Sequence, residues 1–274
     1  MEDYQYPYYY QISNQAAIRN QNYFWICLAI QLCTACISVI LESFKAPYWV
    51  SGLFALASLA FFLVIIYNKF PQKWKKCRFC AESIRSKSWQ WMMTLNVYKK
   101  DVNGDLFKKH IEKNYAEVKN WCHYDDGVYN VNITSEMVRV RNGNLSQKEK
   151  YYKDNRVLDQ VNWYTEKVKE NGRWKKVCVG TVVFFYLAFF VTLFFQNLPF
   201  SFSFLVVIAS SIITWLETKK FHFLEESYSS ILKDNSNLFN SNFNFSTNKE
   251  FVEKVRICEK KFFSEYENWA SKEN

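Results

Sequence analysis

Glycine and histidine are scarce in this chain, six and three residues among 274. So few glycines leave little material for loops that cradle phosphates with backbone N–H groups. The histidines, His110, His123 and His222, are scattered over segments that read as helices. No P-loop, G-x-G-x-x-G, nucleophile elbow or H-E-x-x-H occurs. Charge is missing from four long stretches, and an intramembrane protease or transferase would need ionisable groups at that depth. These absences argue against an enzyme and give no reason to expect a cofactor.

The four uncharged stretches are the main positive signal. They run over Tyr23–Leu41, Pro47–Tyr67, Val177–Gln196 and Phe200–Leu216. A helix of about 20 apolar residues crosses the hydrocarbon layer of a bilayer. Apart from Gln31 and Gln196, nothing inside them is more polar than Ser, Thr, Cys or Trp until the edges. A globular core helix of that length would show a charged face. The expected fold is an all-α membrane protein with two transmembrane hairpins, four spans, extended by cytoplasmic helices.

The net charge of +9 comes from segments between and after the hairpins. Lys69, Lys73, Lys75 and Lys76 follow the second span, Arg173, Lys175 and Lys176 precede the third, and Lys219 and Lys220 follow the fourth. The turns inside the hairpins hold almost no charge, Lys45 beside Glu42 in one and none in the other. The positive-inside rule then places both termini and the middle segment in the cytoplasm. Membrane lipid is the partner this pattern implies. No groove-reading module points to nucleic acid. The first residues are polar and rich in Tyr without a basic n-region or cleavage site, so the first span is expected to stay as an anchor.

The eight cysteines do not form a disulfide framework, since most fall on the reducing side or inside the first span. Cys77 and Cys80 form a C-x-x-C, and Cys122 with His123 could complete a zinc set. Against zinc, Cys77 and Cys80 lie on what reads as a continuous helix rather than a turn. Asn132-Ile133-Thr134 is a formal glycosylation sequon on the expected cytoplasmic side, where it would not be used.

The polar segments read mostly as helices. Trp74–Leu95 continues the second span. Asp105 is expected to cap a helix from Leu106 to about His123, with Phe107, Ile111, Tyr115, Val118 and Cys122 on one face, and Asp125-Asp126-Gly127 breaks it. Val128–Ile133 is the one place for a short strand. Ser135 is expected to cap a short helix ending at Asn142-Gly143. Gln147–Val177 is a long amphipathic lead into the third span. Thr218 to about Asp234 extends the fourth, and a final helix covers about Lys249–Ser271, with Phe251, Val255, Cys258, Phe262 and Tyr266 on its stripe.

The halves repeat. Ala81-Glu82-Ser83 after the first hairpin parallels Glu225-Glu226-Ser227 after the second, and Phe107, Ile111 and Glu112 parallel Phe251, Val255 and Glu259. Each half starts and ends on the same side, as in parallel repeats. The expected division is a first unit over 1–124, a connection over 125–150 and a second unit over 151–274.

Trp74–Trp91 carries Arg78, Ala81, Glu82, Arg85 and Trp89 in the spacing R-x-x-A-E-x-x-R-x-x-x-W. Thr134, Met137 and Arg141 give T-x-x-M-x-x-x-R, and Tyr152, Arg156, Asp159, Gln160, Trp163 and Tyr164 give Y-x-x-x-R-x-x-D-Q-x-x-W-Y. These patterns resemble SLATT domains, the two-transmembrane effectors associated with SMODS nucleotidyltransferases and SLOG nucleotide-sensing domains. The resemblance covers most of the chain as two tandem units. The region around Arg19 lacks the full D-Q-x-x-W-Y pattern. The resemblance implies an effector of a bacterial anti-phage conflict system that acts on the inner membrane, as a pore or by disruption, and arrests or kills the cell. It also implies a nucleotide-sensing or nucleotidyltransferase partner.

The candidate residues follow. A pore would be lined by the small polar positions Gln31, Thr34, Ser38, Thr192, Gln196, Ser211 and Thr214, with Ser51, Ser58 and Ser210 beside them; such residues also serve plain helix packing. Gating or interface contacts fall to Glu82, Arg85, Trp89, Arg156, Asp159, Gln160, Trp163 and Tyr164. Arg156 and Asp159 are spaced for an intrahelical pair, and Glu82 with Arg85 for a solvated one. A homo-oligomer is expected, because four thin spans rarely enclose a pathway alone. The alternative is a membrane scaffold whose cytoplasmic helices hold a sensor without conducting.

Overall fold

The computed structural model describes residues 2–122, 132–194, 202–234 and 245–271, and among them it is helical without a strand. The helices are α1 (Tyr8–Ser43), α2 (Tyr48–Asn68), α3 (Phe70–Met92), α4 (Asp105–Ala116), α5 (Ser135–Arg141), α6 (Leu145–Tyr152), α7 (Leu158–Thr192), α8 (Phe204–Lys219), α9 (Phe221–Asp234) and α10 (Asn248–Ser271). A π-helical turn, Lys153–Val157, joins α6 to α7. Residues 128–131 of the stretch expected as a strand lie outside the described residues, and Asn132 and Ile133 form a bend.

Among the described residues, three helical runs are long and apolar enough to span a bilayer: Tyr8–Ser43, Tyr48–Met92 and Leu145–Thr192. Only 11 %, 6 % and 6 % of their apolar windows are buried. A water-soluble helix could not leave such faces uncovered, because monomers rarely expose large contiguous apolar patches. The chain is a membrane protein. The described part of the fourth expected span, α8, has 16 residues, which at 1.5 Å per residue reaches about 24 Å.

The chain forms two compact units. One, the polar unit, is drawn from Met1–Tyr23, Lys69–Asp159 and Asn237–Asn274. Its central element is α3, which packs on α10, α4 and α5. Cys77, Ala81, Ile84, Ser88, Trp91 and Met92 are buried along it, and so are Glu82, Ser83, Ser86 and Trp89. Burial on several faces marks a helix enclosed by others. From α4 come Phe107, Ile111 and Tyr115; from α10 come Phe251, Val255, Cys258 and Phe262. These are the apolar stripes read from the sequence.

The caps differ from expectation. Asp105 is the first residue of α4 rather than its cap. Asp101 does that work, its carboxylate accepting from the N–H groups of Leu106 at 3.1 Å and Phe107 at 2.9 Å. The helix ends at Ala116, and a 3-10 turn, Lys119–Trp121, replaces the rest of the expected length. Thr134, not Ser135, caps α5, accepting from Met137 N–H at 3.3 Å while its hydroxyl donates to the Gln5 carbonyl at 2.7 Å. Thr134 stands just outside α5 and Asp101 four residues before α4, and each turns an oxygen back onto the first turn.

The other, apolar unit is drawn from Phe24–Asn68 and Gln160–Ser236. Here α1 meets α2 through two hydroxyl-to-carbonyl bonds, Ser38 to Ser51 at 2.8 Å and Ser58 to Gln31 at 3.1 Å. It meets α8 through Cys36 and Ser211 at 3.3 Å, Trp25 edge-on to Trp215, and Phe44 against Phe204. In turn, α7 meets α9 where Lys175 pairs with Glu225 and where Gly172 leaves room for that carboxylate.

Gly104 holds the tight turn before α4 at φ +76°, and a Cβ there would lie 2.1 Å from Ile133 Cδ1. Gly104→Ala is therefore expected to destabilise the polar unit by at least the roughly 1–2 kcal/mol of a left-handed L-residue. Gly104→Ala with Ile133→Ala should recover the steric part and leave the backbone part, measured by denaturant unfolding in detergent.

Candidate functional site

Five of the expected interface residues, Glu82, Arg85, Trp89, Arg156 and Asp159, meet in the polar unit around a buried charged cluster. The π turn sets its geometry. Inserting it between α6 and α7 brings Tyr152, Arg156 and Val157 all inward; π turns often mark functional positions. Arg156 is 2 % exposed, and its fork meets both oxygens of Glu259 on α10, Nε to Oε1 at 2.9 Å and Nη2 to Oε2 at 3.0 Å. Tyr152 donates to the same Oε1 at 3.0 Å. The guanidinium also lies 4.9 Å from the ring centre of Phe262. Two-point contact with a planar fork is the strongest form of side-chain ion pair.

Burial works against the charge of Arg156, but the Glu259 carboxylate outweighs it and holds the guanidinium above its ordinary range. Burial first and Glu259 second push the Tyr152 hydroxyl far up, so it stays a donor. A second set sits beside the first on α3. Glu82, 3 % exposed, pairs with Arg78 at 2.7 Å and with Arg85 at 3.9 Å. Arg85 also reaches Asp159 at 3.1 Å and Tyr6 Oη at 3.4 Å. Burial opposes the Arg85 charge, and Tyr6 and Glu82 reverse the balance. Trp89, fully buried, donates its indole N–H to Tyr6 Oη at 2.9 Å and packs edge-on to Tyr152.

Two expectations are thereby corrected. Arg156 and Asp159 do not pair within their helix. The π turn carries Arg156 to Glu259, while Asp159, half exposed, pairs with Arg85. Nor is the Glu82–Arg85 pair solvated, because α10 and the N-terminal segment cover that face of α3. The remaining motif residues lie in the apolar unit. Gln160 is buried, and Trp163 and Tyr164 both pack on Tyr228 of α9, with Tyr164 the one turned fully inward.

Arg141 closes the other end of α3. It lies 4.4 Å from the ring centre of Trp91 and donates to the carbonyls of Trp91, Tyr98 (2.8 Å) and Asp101 (3.1 Å). A cation on the last carbonyls of a helix complements its dipole. The resemblance motif Thr134, Met137 and Arg141 is thus a cap, a core residue and a carbonyl clamp. Beside the π turn lies an open depression of about 620 Å³, with Arg139, Gln147, Lys150, Tyr151 and Asp154 among its lining. Its Arg139 is already held by Glu136.

The small polar residues of the spans are mostly committed to backbone. Thr34 donates to the carbonyls of Ile30 and Gln31, Thr192 to Phe189 and Thr214 to Ser210, each within its own helix. Ser38 and Ser211 make the bonds between helices given above, and the Gln31 carbonyl receives Ser58. Gln196 lies outside the described residues. No group of three or more His, Cys, Asp or Glu arranged to hold a metal occurs among the described residues, and His123 is not one of them.

Sequence reasoning missed Glu259 and Tyr6 as members of the cluster. Glu259 did carry a signal, a lone carboxylate beside the apolar stripe of Phe251, Val255, Cys258 and Phe262. Nothing in the Tyr-rich N-terminus singles out Tyr6.

Removing one partner of the buried pair should be severe. Glu259→Ala is expected to cost about 3–5 kcal/mol by stranding Arg156, whereas Arg156→Met with Glu259→Leu should recover most of it. A double-mutant cycle on Arg85 and Asp159 should give at most about 1 kcal/mol, since Asp159 is half in solvent. Both are read by denaturant unfolding of the detergent-solubilised chain.

Two family models match the chain. SMODS and SLOG-associating 2TM effector domain 3 matches residues 7–149. SMODS and SLOG-associating 2TM effector domain 1 matches residues 152–269. No curated protein and no solved structure matches it. The motif residues that build the buried cluster fall in both matched segments, Arg78 to Trp89 in the first and Tyr152 to Asp159 in the second. The chain belongs to the SMODS and SLOG-associating 2TM effector family, as two such domains in tandem.

Proposed function

We propose that this chain is the membrane-acting effector of a bacterial anti-phage conflict system, with two hairpins in the inner membrane and the polar unit and both termini in the cytoplasm. Its family consists of effector domains of conflict systems. Activation by a nucleotide-sensing or nucleotidyltransferase partner lets copies of the chain assemble into a pore or disrupt the bilayer, and the cell stops growing or dies. The observation that carries this reading is how little of the apolar helices is buried, 6–11 % of their windows. Such surfaces need lipid or further copies of the chain to cover them.

The described arrangement fits a resting state. Hydroxyls that would line a pathway are bonded to helix carbonyls, which favours close packing over a water-filled lumen. The buried charged cluster joins motif residues of both tandem domains inside the polar unit, so it is suited to hold that unit in one arrangement until a signal arrives. Buried ionic groups used to specify one arrangement are a known device.

The scaffold reading predicts a different response, so one experiment separates the two. The chain is expressed inducibly in bacteria while membrane potential is followed with a voltage-sensitive dye. Glu259→Gln, which weakens the clasp, is expected to depolarise cells sooner than the wild type at equal membrane content. Leu at Gln31, Thr34 and Ser38 should abolish the response. A steady potential in every case, including coexpression with neighbouring genes under phage challenge, would leave the scaffold.

A further inference from the structure

The polar unit carries a basic patch with an indole at its centre, which the charged cluster does not use. Trp121 sits in the 3-10 turn after α4 and is half-buried. Two cations from other helices meet it. Arg19 of α1 donates from Nη2 to the Trp121 carbonyl at 3.3 Å. Lys76 of α3 holds its ammonium over the Trp121 ring, 5.6 Å from the ring centre. Lys119 is exposed in the same turn, and Lys73 stands one turn before Lys76 on the same face of α3. Among the described residues Arg19, Lys73, Lys76 and Lys119 make no ion pair, and neither does Glu117, the acid nearest the turn in sequence. The indole N–H of Trp121 and the Nη1 and Nε groups of Arg19 have no hydrogen-bond partner there either.

The place of the patch identifies its occupant. Tyr23 and Lys69 are the residues at which the chain leaves the polar unit for the first hairpin and returns from it. The rings of Tyr23 and Phe70 lie 5.9 Å apart, so the two crossings are neighbours. Arg19 is one helical turn before Tyr23, and Lys76 is about two turns after Lys69. The patch therefore stands about 10 Å or less along each helix from the start of the apolar residues. The positive-inside rule accounts for cations that flank a span in sequence. It does not account for Lys119 and Trp121, which are far from every span in sequence and reach this spot because α4 packs on α3. An indole among cations at the edge of a bilayer suits a phospholipid headgroup, with the ring at the interface and the charges on the phosphate. Arginine meets a phosphate at two points, and lysine adds a point charge.

We propose that Arg19, Lys76 and Trp121 form a site for the phosphate of one anionic phospholipid, with Lys73 and Lys119 at its rim. The lipid phosphate takes the free edge of the Arg19 guanidinium and the Lys76 ammonium, and the Trp121 N–H donates to the headgroup. Bound in this way, the lipid ties α1, α3 and the turn after α4 to the membrane surface together. The site rests on the membrane reading above. It is independent of conduction and of the side on which the polar unit lies, because lipid binding is read in detergent.

The test uses the full chain in a neutral detergent, titrated with phosphatidylglycerol or phosphatidylethanolamine and weighed by native mass spectrometry. One phosphatidylglycerol is expected to stay bound more tightly than phosphatidylethanolamine. Arg19→Gln and Lys76→Gln should each weaken it about fivefold, the usual effect of one cation near an anionic surface. Trp121→Ala should weaken it as well, although it changes no charge. Lys99→Gln with Lys100→Gln, a larger charge change beyond the other end of α3, should leave it unaltered. No preference for phosphatidylglycerol, weakening that follows net charge wherever the lysine lies, or no effect of Trp121→Ala would each overturn the site. Displacement of the lipid by millimolar inorganic phosphate would overturn the lipid as occupant and leave a site for a free anion. A second measurement needs no variant. Phosphatidylglycerol carrying a diazirine near its ester should crosslink in the wild type to peptides holding Arg19, Lys76 or Trp121, and labelling confined to other peptides would sink the proposal.

Discussion

The polar unit depends on one buried ion pair. Arg156 and Glu259 lie 103 residues apart in sequence, and each would be intolerable in that interior without the other. Their union fixes the register of α10 against the π turn, because a two-point contact tolerates little sliding or rotation. Tyr152 and Phe262 complete the surround, one donating to the carboxylate and one covering the guanidinium. Apolar packing around Trp89, Phe251 and Val255 supplies bulk attraction but little orientation. The charged pair supplies the orientation.

The apolar unit obeys another constraint. In hydrocarbon, water is not available to satisfy a stray hydroxyl, so Ser and Thr find carbonyls. Thr34, Thr192 and Thr214 find them one turn back along their own helices. Ser38 and Ser58 find them across α1 and α2, and so act as fasteners between helices. Gly172 shows the same economy of space, since any side chain there would collide with Glu225.

The fold was largely legible because its signals are local and periodic. Uncharged runs long enough to cross a bilayer marked the apolar helices, and stripes at three- and four-residue spacing marked α4 and α10. The ends were less legible. Asp101 and Thr134 cap helices from positions that composition does not distinguish from their neighbours Asp105 and Ser135. The site was half legible. Arg85, Trp89, Arg156 and Asp159 could be selected by their pattern, but Glu259 and Tyr6 could not, nor could the pairing of Arg85 with Asp159. A single π turn shifts the residues after it by one place around the helix, which a regular helical period does not foresee. Arg156, inside the turn, faces α10, and Asp159, just after it, meets Arg85.

The two tandem domains share one further detail. The helix that follows α2 and the helix that follows α8 each begin after a lysine in the left-handed conformation, Lys69 at φ 51° and Lys220 at φ 54°, and each lysine precedes a phenylalanine. From Phe70 to Ser83 is thirteen residues, and from Phe221 to Ser227 is six. The two intervals therefore differ by a heptad, which misses two whole helical turns by only about 20°. The Glu-Ser pair thus faces nearly the same way around its own helix in both domains, although it stands a heptad further along in the first.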